Sequence, residues 1–430
     1  MNEPGETTGL AIPVDPAALI AAGPEWLTRA FRAYGAIAPD NAVTRIVHAE
    51  DFHAGNSGDK LVLKVEYARP DPALHKDLFV KFSRCLHDPF RDRRRGELEA
   101  EVHLAGLSRH PAFPVAVPKA YFATFEPDTG NGVLITQRLR FGEDGLEPLR
   151  PKNMDHLVAN APEYYRATAT SLARLGAAHK SGRLSPEVEC LFPFEPALAA
   201  AELPLPWDAG QVRDKAQRIA EFIAGAPQLF PANATTLAFL NRFVEDAVQF
   251  HRHDAEIRRF LFADPDMVAL AHWNTHIDNA WFWRDGAGDL QAGLLDWGMC
   301  RQMNFAMALW GGLSGGNQAF WHGPADAVID HFLAELAAHG GPSIDPALFR
   351  LHLDLSVGML TLALMLDMPA MFLSRMPDVG LAAGPDDVKL HTDKVVHGFL
   401  HTFGNAIGLW QRRDFGASLA RMLESQGTTG

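Results

Sequence analysis

The sequence predicts an α+β protein of two lobes, a small β-rich lobe followed by a larger, mainly helical lobe carrying an inserted β-hairpin. Three observations carry this. Strand-like segments concentrate between about 43 and 136. Beyond 150 the apolar residues recur at helical spacing, interrupted by one strand–turn–strand pattern. The 430 residues, 47% of them hydrophobic, are too many for one simple core but ample for two packed ones.

Residues 1–12 read as disordered. Asp15 caps a helix that has Pro16 at its first position and runs towards Tyr34, so 1–40 is an N-terminal extension with one helix. The β-rich lobe spans 41–140. Its strands are Val43 to Val47, Lys60 to Tyr67, Leu78 to Phe82, Tyr121 to Phe125 and Val133 to Thr136, and a helix covers Glu97 to Leu107. A glycine-containing loop, 52–59, joins the first two strands, and 141–145 reads as a linker. The helical lobe, 141–425, holds Glu163 to His179, Val212 to Ile223, Thr235 to Phe260, Ala325 to Ala338, Pro346 to Leu366 and Lys389 to Leu409, before a tail at 426–430. Ala280 to Trp283 and Gln291 to Leu295 are the inserted strands, and Asp285-Gly286 is their hairpin signal. No internal repeat or low-complexity tract is visible.

A net charge of −13 argues against sequence-independent nucleic-acid binding, which needs basic surface. Cys85, Cys190 and Cys300 are odd in number, widely spaced and without metal spacing, which suggests a reducing compartment. The N-terminus lacks the basic flank and apolar core of a signal peptide. Val357 to Leu366 is too short to span a bilayer and reads as a buried helix. The expectation is a soluble cytoplasmic protein with no membrane or nucleic-acid partner. Its oligomeric state is left open.

Polar groups crowd the ends of the inserted strands. Folding the hairpin brings Asn279, where it starts, towards Asp296, where it finishes. An amide oxygen beside a carboxylate is a hard-oxygen pair suited to Mg²⁺. Lys81 is centred in an apolar strand, where burial is costly unless it meets an anion. A nucleotide phosphate is one such anion, with Glu97, Glu99 or Glu101 as the steadying carboxylate. Glu101 is preferred because it lies in the helix body before an apolar run. An exposed edge strand beside a solvated helix face is the plainer reading. Gly55, Ser57 and Gly58 can aim backbone N–H groups at phosphates, although the loop is not a Walker A sequence and an ordinary hairpin turn reads equally well. His272, His276 and Asp278 also allow a zinc site, but they sit in loop-like sequence, and hydrogen bonding that orders the loop suits His272 better. The basic run 91–95 is either a solvated surface or an anion-capturing one. Met359, Met365, Met368, Met371 and Met376 either pack a core or line a pocket.

Taken together, these residues resemble the aminoglycoside phosphotransferase and ecdysteroid-kinase-like branch of the protein-kinase-like superfamily, from about Glu25-Trp26-Leu27 to the last helices. The family's catalytic loop, His-Gly-Asp-x-His-x-x-Asn, stands here as His272-Trp273-Asn274-Thr275-His276-Ile277-Asp278-Asn279. Its metal-binding Asp matches Asp296 in Leu295-Asp296-Trp297. Its strand lysine matches Lys81, its helix glutamate Glu101, and its hinge falls near Gln137-Arg138-Leu139. The resemblance implies a protein-kinase-like fold with a small antiparallel sheet and a helix in its first lobe. It implies ATP and Mg²⁺ as cofactors, with Gln137 and Leu139 at the nucleotide, and a small hydroxylated molecule as phosphate acceptor.

Two departures follow. Trp273 stands where the family has glycine, and Asn274 where it has the catalytic aspartate. An amide can accept the acceptor hydroxyl's hydrogen bond but cannot take its proton, and a general base is typically worth ~10²–10⁴ in rate. Catalysis of phosphoryl transfer rests largely on positioning and metal electrostatics, so the loss leaves roughly 10⁻⁴–1 s⁻¹. Asp278 and His276 are the possible partial substitutes. The expectation is therefore a weak phosphotransferase or, alternatively, a pseudokinase-like nucleotide-binding or scaffolding protein.

Overall fold

The computed structural model describes residues 10–53, 58–83 and 91–427, with side chains from 96 onward in the last stretch. The described residues form an α+β protein made of two units. One comprises residues 1–147, 183–192 and 293–300, and the other comprises 148–182, 193–292 and 301–430.

In the first unit, α1 (Pro16–Ala33) begins as its sequence dictates, with Asp15 accepting from the backbone N–H of Ala18 at 2.7 Å. It kinks at Gly23, where φ is +69° and Pro24 removes the next N–H. Five strands follow, β1 (Val43–Asp51), β2 (Lys60–Tyr67), β3 (Asp77–Phe82), β4 (Ala120–Glu126) and β5 (Asn131–Gln137). They pair antiparallel in the order β1-β2-β3-β5-β4. Strand alternation sorts the side chains. Leu61, Leu63, Val65, Leu78, Val80, Phe82, Val133 and Ile135 pack into one core with Trp26, Leu27, Ala30 and Phe31 of α1. Lys81 therefore points to the opposite face, with Leu134 beside it in register. The helix α2 (Arg91–Leu107) buries Leu98, Glu101, Leu104 and Leu107, a stripe at three-residue spacing.

The second unit is mainly helical. Its long α3 (Ala161–Lys180) accompanies β6 (Val268–His272), whose five residues are all buried. The hairpin β7 (Ala280–Arg284) and β8 (Leu290–Leu294) forms where Asp285-Gly286 predicts it. β6 pairs with β9 (Cys300–Asn304), a strand of polar sequence that periodicity did not reveal. The helix expected over Thr235–Phe260 is two, Leu237–Arg252 and Asp254–Ala263, because His253 leaves helical geometry between them. The helix expected from Lys389 begins at Lys394, where Asp393 accepts from the N–H groups of Val395 and Val396. Pro346–Leu360 runs on through a π turn, Thr361–Met365. The combined stretch is long and apolar enough to cross a membrane, yet 72% of its most apolar window is buried within the protein. Met359 and Met365 belong to that buried set.

Candidate functional site

In the first unit three elements converge on one ammonium group. Lys81 Nζ donates to both carboxylate oxygens of Glu101 at 2.8 Å and to Asp296 Oδ1 at 3.0 Å. The buried stripe of α2 explains why Glu101 is the partner rather than Glu97 or Glu99. It occupies the helix position that an apolar residue would otherwise fill. Asp296 is delivered by the turn after β8, with its backbone left-handed at φ +64°. The turn Trp297–Met299 lies against α2, so closely that a Cβ on Gly298 would come within 3.0 Å of Glu97 Cβ.

Burial alone would lower the Lys81 pKa, but the carboxylates of Glu101 and Asp296 more than reverse it and hold the group charged. Glu101 is pushed up by burial, with the Lys81 charge opposing. Asp296 keeps about a third of its side-chain surface exposed, 36%, against 7% for Glu101. The triad is thus closed on the helix side and accessible at the aspartate. The register of β2 and β3 also sets Lys60 directly opposite Lys81, placing a second cationic side chain beside it.

Of the loop residues expected over phosphates, Gly55 and Ser57 lie outside the described residues. Gly58 has φ +64°, and a Cβ there would come within 2.0 Å of the Phe82 carbonyl oxygen. A glycine is therefore required where this loop meets the end of β3. At the expected hinge, Gln137 exchanges bonds with Lys119, its N–H reaching the Lys119 carbonyl at 2.8 Å and its Oε1 accepting the Lys119 N–H at 3.0 Å. Leu139 is half-buried just beyond.

In the second unit the segment 272–279 leaves β6 as a tightly wired loop. His272 is fully buried, and its Nδ1 accepts from the Asn274 N–H at 3.1 Å, the ordering role expected of it. Asn279 Nδ2 donates to the Asn274 carbonyl at 3.0 Å, and its Oδ1 accepts from Lys152 at 2.6 Å. Asp278 is buried, with Oδ2 accepting the Asn153 N–H at 2.7 Å. Burial pushes its carboxyl up, opposed by His276 and Lys152. Asp155 Oδ2 accepts from the Ile277 N–H and the Tyr165 hydroxyl, each at 3.1 Å, and lies 3.5 Å from His276 Nδ1. Burial depresses the His276 pKa, but the Asp155 carboxylate raises it more, and the net direction is upward. Lys152, Asn153 and Asp155 were not anticipated. They lie more than a hundred residues upstream in sequence without local spacing that would mark them. Among the described residues, His272, His276 and Asp278 do not gather their ligand atoms into a set that could hold a metal ion.

Trp273 packs on the helix Phe305–Leu313. A Cβ on Gly311 would come within 2.0 Å of the Trp273 carbonyl oxygen, and one on Gly312 within 2.2 Å of Thr275 Oγ1. The loop and helix therefore touch backbone to backbone. Gly311→Ala should cost about 1–3 kcal/mol by overpacking, read by denaturant unfolding. Gly106→Ala, in open space on α2, should instead stabilise by about 0.4–1 kcal/mol. Equal effects at the two positions would refute the close-approach argument.

Asn279 and Asp296, expected as one metal pair, fall in different units.

No family model and no curated protein matches the chain. Solved structures do. The chain is similar to an aminoglycoside-3′-phosphotransferase of type VIII, at 20% identity over 76% of this chain and 97% of that one, with TM-score 0.36. It is similar to a microcompartment-associated aminopropanol kinase, at 10% identity over 90% and 98%, with TM-score 0.40. Choline kinase from Cryptosporidium parvum Iowa II follows at 11% identity over 81% and 93%, with TM-score 0.36. All three are named as small-molecule phosphotransferases or kinases.

Proposed function

We propose that the protein is a Mg²⁺- and ATP-dependent phosphotransferase-like protein acting on a small hydroxylated molecule. The observation that carries this reading is the largely buried Lys81 ammonium, bonded by a helix carboxylate on one side and a partly exposed Asp296 on the other. A strand lysine clamped in this way is preorganised for the oxygens of an α/β-phosphate pair. The donor chemistry fits the cofactors. Asp296 offers a hard anionic oxygen, and Asn279 an amide oxygen whose orientation is fixed through Asn274. A bound Mg²⁺ would supply charge neutralisation at the transferring phosphoryl group. Gly55, Ser57 and Gly58 are assigned to covering the phosphates, Gln137 and Leu139 to the nucleotide, and Asn274 to orienting the acceptor hydroxyl. His272 acts through the loop it orders.

A second reading is favoured by one residue. Asn274 has no basic form at neutral pH, so a nucleotide-binding protein without turnover also fits the site. Calorimetric titration of Mg·ATP and Mg·GTP into the purified protein tests the shared premise. Saturable binding of at least one is expected, and its absence for both would end either reading.

A further inference from the structure

Within the second unit a separate cluster gathers side chains that the proposed phosphotransfer does not use. His156 stands on the turn Asp155–Leu157, His397 and His401 on the helix Lys394–Arg413, and Asp386 on the loop before it. One ligand atom from each lies within 4.8 Å of all the others. His156 Nε2 and His397 Nε2 are 3.1 Å apart, and His401 Nε2 is 3.3 Å from Asp386 Oδ1. The edge of a tetrahedron around a cation with 2.0–2.1 Å bonds is about 3.3–3.4 Å. His156, His397 and His401 are buried to 6%, 1% and 4% exposure. Neither ring nitrogen of His401 makes a hydrogen bond of ordinary geometry.

We propose that His156, Asp386, His397 and His401 form a four-ligand divalent-metal site of the zinc class that clamps the segment 153–156 onto the helix Lys394–Arg413. Three imidazoles and one carboxylate form a borderline donor set, which suits Zn²⁺ and not Mg²⁺ or Ca²⁺. The spacing of His397 and His401, four residues apart on one helix face, lets both reach a single ion. Asp386, with 67% of its side chain exposed, leaves the ion a route in from solvent. The metal-free alternative is a stack, His156 on His401 with ring centroids 3.7 Å apart, which satisfies the polar atoms poorly and whose parallel lone pairs an ion would bring together by turning one of the two rings. Two facing Nε2 atoms can share only one proton, and His401 Nδ1 has no partner. Backbone packing supports the clamp, since a Cβ on Gly398 would come within 2.8 Å of the Asn153 carbonyl oxygen.

The segment so held is the one that organises the loop 272–279. Asn153 bonds Asp278, and Asp155, adjacent to His156, bonds the Ile277 N–H. The metal is a positioning element, and its existence does not depend on the phosphotransferase reading.

The test uses the full chain, stripped with a chelator and then titrated with Co²⁺ and Zn²⁺. One equivalent of Co²⁺ should bind with the intense visible absorption of a tetrahedral site and be displaced by Zn²⁺. His397→Asn should abolish that spectrum. Asp386→Asn, which changes an exposed residue and keeps the fold, should weaken Co²⁺ binding at least ~10-fold. Asp296→Asn should leave the spectrum unchanged. Zn²⁺ should slow amide exchange across 153–157 and 276–279. The proposal is overturned if stripped wild type binds neither metal stoichiometrically, if Asp386→Asn binds as tightly as wild type, or if exchange in both segments ignores the metal.

Discussion

Asn274→Asp is expected to raise the rate of nucleotide-dependent phosphoryl transfer by ~10²–10⁴ over the wild-type chain. The exchange is nearly isosteric, and the backbone around it is pinned from both sides. The Asn274 N–H is held by His272 Nδ1 and its carbonyl by Asn279 Nδ2. A carboxylate introduced there therefore inherits an existing position, and the gain comes from a proton acceptor alone. The turnover expected of an active wild type, roughly 10⁻⁴–1 s⁻¹, leaves room for such a gain below the usual kinase ceiling of ~100 s⁻¹. ATP turnover measured on both proteins against a panel of small alcohols decides between the two functional readings. A silent wild type with an active variant makes the natural chain a binding module. A measurable wild type that accelerates is a slow enzyme, and Asn274→Ala should then remove what activity it has. If Mg·ATP binds and neither protein turns over, no proton acceptor at 274 completes the site and the phosphotransferase reading fails.

The second large effect is expected at Lys81. Lys81→Met should weaken Mg·ATP binding roughly 10- to 150-fold, the worth of one charge-assisted hydrogen bond to a phosphate of about 1.5–3 kcal/mol. It should also destabilise the fold by about 3–5 kcal/mol, because Glu101 is left buried without its cation. The two losses separate with pH and with a second substitution. In wild type the raised Lys81 pKa keeps the ammonium charged throughout the neutral range, and its stabilisation is lost only as pH rises through the folded-state value. In the variant, Glu101, already pushed up by burial, is pushed further. The folded state then binds a proton that the unfolded chain has released. Stability must fall as pH rises between the unfolded and folded carboxyl values, so the penalty is smaller near pH 5 than near pH 8. Lys81→Met with Glu101→Leu should recover much of the stability and none of the nucleotide affinity. Recovery of both would show that the lysine serves the fold alone. A pH-independent penalty would show that Glu101 does not carry the buried charge.

Much of this was legible in the sequence because its logic is local. Lys81 declares itself as a charge among Leu78, Phe79, Val80 and Phe82, and strand alternation fixes which face it takes. Glu101 follows from a helical stripe whose other members are apolar. Asn279 and Asp296 are marked by the strands they flank. The rest depends on contacts that spacing cannot encode. Lys152 meets Asn279 across 127 residues, and His156 meets His397 across 241. Only the pair His397 and His401, four apart on a helix, carried a readable hint, and it sat in a stretch read simply as helical. β9 was hidden because Arg301 and Gln302 interrupt any apolar alternation, its pairing with β6 being decided by backbone bonds.

Asp296 has a conformational identity as well as a chemical one. Its backbone lies where glycine, asparagine and aspartate enter readily and branched or bulky residues do not. Among those three, aspartate alone answers the lysine opposite with a negative charge. If the proposed function holds, a lineage of this chain that abandoned nucleotide chemistry would have narrow exits at this position. Asparagine or glycine would keep the turn intact while silencing it, so a silent descendant would be recognised by those two letters rather than by a scrambled loop.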